Sequence, residues 1–530
     1  MQIADISIQA EKYENAEKYL NMSLESASND KQIRDSRIKY AEYVLAKSKK
    51  NLLSNTPVNT NDVGKAFGFL NDYYQNEPEN LRLTRLYLGI VLLLEEDAEI
   101  INAWRTYFRI PQNEKAIGLL AKAEGNIRKG LGSNSKDAAV SLVKGLSDSR
   151  FFDYAVMMMF QHNLNYKSMA DLADIYNYYV FLNNAEGLIN EYYRNKSLGT
   201  ASDNKYYKDY YSLCIDFWFT LNWENGKPLF FYEKGFEEEL FKRFGSETFT
   251  GKGGDQIAFF VGHSVVNDNR TIEQYGRKTK ITYISLDNVI GNIYPHWYFG
   301  FFGVGGWAIE NQVIQIRTVP LNNNSPLRAF NRLISEEGRK KWLVEIKEKS
   351  IKDDSIATSN PYAILEGLSE RLKYQYYSQI LDSLRQINNN DMELKINFLS
   401  YVNSLLLDAI VYNHEGRHLL DSYVDYPDNT EMFTSEEREF RAKLSELAFS
   451  KYPKLAFAEG ILRQENPAHE NANKRIIKGV VNWMEKNTKT IKNIDTSRPL
   501  LPQLDLLTEE QLVRAVRSFD PLYARYIENE

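Results

Sequence analysis

Residues 413–421 read Asn-His-Glu-Gly-Arg-His-Leu-Leu-Asp, and His414 and His418 stand four positions apart. On an α-helix that spacing places the two imidazoles about 40° apart around the axis and one turn apart along it, so both reach one metal ion. Glu415 follows the first histidine and lands beside that ion, where a carboxylate can take a proton from an attacking water. This is the H-E-x-x-H arrangement. A catalytic ion of that kind needs a third protein ligand and a position left open. The bland alternative is a pair of histidines capping a buried helix end.

The segment 435–450 reads as a helix with carboxylates available to the motif. Glu439 and Glu446 are seven apart and share a face. Ala442, three after Glu439, permits close packing against a neighbouring helix. Glu439 is the expected third ligand, with Glu446 as the alternative or as a supporting group. A solvated acidic first turn is the plain reading of Glu436, Glu437 and Glu439. Asp421 lies three after His418 and seven after His414, placed to accept the second N–H of a ligating histidine. Gly416 costs a helix about 1 kcal/mol relative to alanine, which suggests close approach of another element. His469, in Pro467-Ala-His-Glu-Asn-Ala-Asn, stands near a helix start with Asn473 four residues on. His162, His263 and His296 read as structural.

Residues 413–421 and the Glu439 helix together resemble the gluzincin metallopeptidases. In that family the third ligand is a glutamate on a second helix, and a small residue follows it by three or four positions. The resemblance implies Zn2+ held by His414, His418 and Glu439, with Glu415 as general base. It also implies that His469 contacts the oxyanion of the tetrahedral intermediate and that the substrate is a peptide or protein. Gly-Gly-Trp-Ala-Ile-Glu-Asn at 305–311 is similar to the aminopeptidase motif Gly-x-Met-Glu-Asn, with one residue inserted and Ile for Met. That similarity implies a substrate-pairing strand through Gly306 and Trp307, and an amine-binding role for Glu310.

The elements that must position these groups follow from the rest of the chain. Apolar periodicity over 394–412 leads into the motif as one helix reaching residue 423, and further helices are expected at 363–387 and 471–486. Residues 1–225 read as helix after helix, with stripes such as Ala10, Tyr13, Ala16, Leu20 and Leu24, and breaks at 29–30, 55–61, 130–135 and 198–204. The run Gln-Ala-Glu-Lys-Tyr-Glu-Asn-Ala-Glu-Lys-Tyr-Leu at 9–20 resembles half of a tetratricopeptide unit, as does 67–93. That resemblance implies an N-terminal α-solenoid of helical pairs with a concave face for a protein partner. Between 226 and 345 β-branched runs appear at 256–266, 280–286 and 313–319, separated by glycine and asparagine at 251–254, 267–269 and 303–306. The expected fold is therefore mainly α, with a C-terminal α+β part. Residues 1–225 form the repeat domain. Residues 226–345 supply the sheet, and 346–530 the helical metal-site part, of a zincin-like peptidase domain.

Composition narrows the function. The 530 residues carry a formal net charge of −6, which argues against nucleic acid. The lone cysteine, Cys214, excludes an intrachain disulfide and reads as a small buried side chain. The stretch 289–309 lacks charge but contains Pro295, His296 and five glycines, which favours strands and turns over a membrane span. No leader is visible at the start, compatible with a cytoplasmic chain or with a mature exported one. Two other readings stay open: a non-catalytic scaffold with a zincin-like domain, and a zinc hydrolase acting on something other than peptides.

Overall fold

The computed structural model describes residues 2–109, 114–132, 135–221, 234–253, 256–291, 306–309, 311–316, 324–422, 433–463 and 467–529. They form a mainly helical protein with a small curled mixed sheet. Two compact units are present. One comprises Met1–Asn267 with Ser285–Val304 and Ile316–Thr318; the other comprises Asp268–Ile284, Gly305–Gln315 and Val319–Glu530.

In the first unit helices succeed one another from Gln2–Gln9 to Lys234–Phe244, and consecutive helices pack on each other. The starts are dictated by short polar side chains. Asn29, Asn59, Asn80, Ser135 and Ser202 each accept a backbone N–H of the following turn, satisfying donors that a helix start leaves orphaned. All of these caps but Asn80 fall at the expected breaks. Other ends carry neither glycine nor proline: Glu95, Arg150 and Asn163 take φ of 57°, 70° and 50°, the left-handed region that composition alone does not flag. The core is aromatic, with Tyr74 stacked on Tyr87 at 4.1 Å and Tyr178 on Phe244 at 4.2 Å. Cys214 is buried, and burial pushes its thiol up to about 12. His162 caps the end of the helix Phe152–Gln161.

The sheet has strands β1 (Ser246–Gly253), β2 (Gln256–Gln274), β3 (Arg277–Gly291), β4 (Gly306–Ile309) and β5 (Gln312–Ile316), in the order β1-β2-β3-β5-β4. β1 and β2 are antiparallel with Ser246 opposite His263, and β4 and β5 with Trp307 opposite Ile314. The expected break at 267–269 is absent, because β2 runs through it. Its polar side chains find lateral partners: Thr282 Oγ1 donates to Asn269 Oδ1 at 2.7 Å, and Arg270 Nε to Asp268 Oδ2 at 2.8 Å. The chain instead reverses at Tyr275 and Gly276, with φ of 49° and 73°, the doubly left-handed pair of a tight hairpin. Residues 292–305, with His296, and Glu310 lie outside the described residues.

The second unit holds the motif between two apolar clusters. The helix Asp391–Leu407 buries Leu394, Phe398, Leu399, Val402 and Leu406 against helices Asn324–Leu333, Glu336–Ser359 and Glu366–Arg385. The helix Ser435–Ala448 buries Phe440, Leu444 and Leu447 in a separate cluster with Ile476, Val480 and Leu512. Each such side chain contributes about 1.5–3 kcal/mol, so each ligand-bearing helix is anchored by its own core. The Asp391 helix does not stay α-helical to the motif. Asp408–Glu415 winds as a π-helix, and α winding resumes at Gly416–Ser422. The whole run Asp391–Ser422 is long and apolar enough to cross a membrane by length and composition, and 56% of its apolar window is buried inside the protein, as in the core helix of a folded domain.

Candidate metal centre

The π winding brings the motif onto the sheet. Gln274 Nε2 donates to the Asn413 carbonyl at 2.9 Å. This carbonyl belongs to a wide turn, where the regular i→i−4 ladder is interrupted. Gly416 faces the same strand, and a Cβ there would come within 3.0 Å of Ile272 Cγ2. The strand beside the motif is thus the tip of β2. β4, which carries Gly306 and Trp307, lies at the sheet's edge with β3 and β5 between it and β2.

His414 and His418 present their rings at 5.0 Å between centroids, nearly perpendicular at 81°. Helix Ser435–Ala448 packs on both the π segment and Gly416–Ser422 and brings Glu439 between them. Glu439 Oε2 lies 3.3 Å from His414 Nε2, and Oε1 lies 3.6 Å from His418 Nε2. Ligand bonds of about 2.0–2.2 Å would separate the donors of one tetrahedral ion by roughly 3.4 Å, so these pairs fit. Among the described residues, His414, His418 and Glu439 form a group able to hold an ion, with donor atoms all within 4.8 Å of one another. His469, in the first turn of the helix Pro467–Asn487, reaches the same carboxylate, its Nδ1 3.3 Å from Glu439 Oε2. Its ring lies parallel to that of His414 at 6.5 Å.

The electrostatics follow from burial and this crowding. Burial opposes a charge on His414, but hydrogen bonds to Glu439 and Glu446 outweigh it and raise the imidazole to about 10. Burial and the neighbouring His414 charge drive His418 down to about 3. Burial also works against Glu439, yet His414, His418 and His469 hold its carboxyl at about 2. Glu415 is half-buried. Its carboxyl is raised, first by desolvation and then, against the pull of His414, by the charges of Glu439 and Glu446, the direction a general base operating near neutrality needs.

Glu446 Oε2, not Asp421, stands 3.1 Å from His414 Nδ1, where a carboxylate fixes the ring's tautomer and orientation. Asp421 gives its oxygens to two arginines instead. Arg441 donates to both at 2.7 Å, and Arg417 Nε donates to Oδ2 at 2.9 Å. Arg417 is wholly buried; it also reaches Asp520 at 3.0 Å and Ser445 Oγ at 3.0 Å. This buried charge network was not legible beforehand. The available signal was an arginine on the buried side of an otherwise apolar helix.

A second π segment, Phe457–Ile461, backs Glu446. Gly460 lies so close that a Cβ would meet Glu446 Oε1 at 2.2 Å, and Lys443 Nζ holds the Gly460 carbonyl at 3.0 Å. Gly460→Ala should therefore push the Glu446 carboxylate off His414. The expected outcome is metal affinity weakened about 10- to 100-fold in chelator-competition titrations, with the helical circular-dichroism spectrum retained. Unchanged affinity would show that Glu446 does not tune His414.

The chain matches no protein-family model, no curated protein and no solved structure.

Proposed function

We propose that the chain is a zinc-dependent peptidase of gluzincin type. The observation that carries this reading is the convergence of His414, His418 and Glu439 donors within 4.8 Å, with Glu415 following the first histidine. Two imidazoles and a carboxylate suit zinc, and three protein donors leave room for substrate or water. The ion, when bound, supplies a Lewis acid that polarises the scissile carbonyl and acidifies water. Glu415 accepts a proton as water's oxygen bonds to the carbonyl carbon. It returns that proton to the amine nitrogen as the C–N bond breaks. His469, 3.3 Å from Glu439 Oε2, steadies the oxyanion. The N-terminal helices, read as a tetratricopeptide-like solenoid, gather a protein partner.

The test is zinc analysis of the purified full chain together with a fluorogenic peptide library, assayed with and without a chelator. About one zinc per chain and chelator-sensitive cleavage are expected. Stoichiometric zinc without cleavage of any peptide would replace the peptidase with a non-catalytic scaffold. Cleavage confined to ester or amide substrates that are not peptides would replace it with a different zinc hydrolase.

A further inference from the structure

The first unit holds a pocket of about 300 Å³, built from residues the metal centre does not use. Its lining combines the apolar bodies of Leu53, Phe152, Tyr179 and Leu182 with the cations Lys49, Lys50, Arg85 and Arg150 and the carboxylates Glu11, Asp153 and Glu186. Among these carboxylates Asp153 serves two cations, and Asp148 acts on Arg150 from outside the pocket. Asp153 lies 2.6 Å from Lys49 Nζ and 2.8 Å from Arg85 Nη2, while Lys50 pairs with Glu11 at the rim.

The inner cations are held in place. Arg85 is clamped over the rings of Phe151 and Tyr154, 4.8 Å from each centroid. The Arg150 guanidinium lies against Gly245, where a Cβ would come within 2.2 Å of its Nη2. Gly245 has a φ of 60°, so this close approach belongs to a position that favours glycine. His263, buried on β2 at the pocket's inner wall, registers the resulting field: burial, then the charges of Arg150 and Arg85, keep its imidazole neutral down to about 3.

The geometry points to a ligand site in the helical unit for a small organic anion, its carboxylate or phosphate facing Arg85 and Arg150 and its aromatic or apolar body against Phe152 and Tyr179. The volume sits at the small end of ligand pockets. Guanidinium forks match either head group, and fixed side chains bind with less ordering cost.

The test uses the full chain in calorimetric titrations with phenylacetate, phenyl phosphate and the uncharged phenylacetamide. At least one anion should bind saturably and the amide should not; the preferred anion identifies the head group. Arg150→Gln should weaken that binding about 10- to 100-fold, with the melting transition retained. Lys49→Met is the second variant, at a side chain that borders solvent, and should weaken binding in the same direction. Failure of both anions to saturate, equal binding of phenylacetamide, or wild-type affinity in both variants would overturn the assignment.

Discussion

Glu415→Gln is expected to lower kcat for peptide cleavage by about 10²- to 10⁴-fold while zinc content and KM stay near wild type. The amide keeps the size and the half-buried position of the side chain but cannot accept a proton. Glu415 is not among the converging donors, which are His414, His418 and Glu439, so the ion should be retained. Loss of kcat alone is the mark of a group acting in the transition state and not in ground-state binding. The measurement is steady-state kinetics on the best library peptide, paired with metal analysis of the same sample. A zinc-loaded variant that cleaves at the wild-type rate would remove Glu415 as the base, and the peptidase reading with it.

Arg417→Met should have the largest effect on stability, about 3–5 kcal/mol. The side chain is wholly buried and meets Asp421, Asp520 and Ser445. Removing it leaves Asp520 with a backbone N–H from Leu522 at 2.9 Å but without the guanidinium, an uncompensated buried charge. The check is urea unfolding, in which the midpoint should fall while the slope is unchanged. Arg417→Met with Asp520→Asn should recover part of the loss, because removing both ends of a buried pair costs less than removing one. The network also sets an acid limit. Against burial, Arg441 and Arg417 hold the Asp421 carboxyl below its usual range. A depressed folded-state pKa gives stability that is present above the ordinary value of about 3.9 and lost as pH falls through the folded value. Wild type should therefore lose more stability on acidification than Asp421→Asn. Equal acid sensitivity would show that the Asp421 pair does not contribute.

The parts of the site that were legible depend on local spacing. His414 and His418, Glu439 and Glu446, and His469 each sit where helical periodicity within one segment places them, and the tertiary fold brings those segments together. What escaped has one of two physical causes. Arg417 and Asp520 are 103 residues apart, and no local pattern pairs them; Asp421 stands four residues after Arg417 as well as three after His418, and spacing alone does not choose between the two. The π segments escaped because one extra residue in a turn leaves the apolar pattern of 394–412 almost unchanged. In the first unit the capped breaks were read from asparagine and serine. The turns at Glu95, Arg150 and Asn163 were not, since nothing in those side chains demands positive φ. β2 was cut short at 267–269 because asparagine was counted as a turn residue where Thr282 supplies it with a cross-strand partner.

The wide turn at Asp408–Glu415 makes chain length itself a variable of the candidate metal centre. Its buried leucines fix the start of this helix and Gly416 against Ile272 fixes its end, so the stretch between has room for one surplus residue and no other number. Losing a single residue there would re-wind the turn as α-helix and rotate its two anchored ends by about 100° against each other, so that either the leucines of Asp391–Leu407 or Gly416 with the neighbouring His414 would lose their place, with every candidate donor still encoded. A chain of this kind would tolerate many replacements in that stretch while rejecting the smallest deletion.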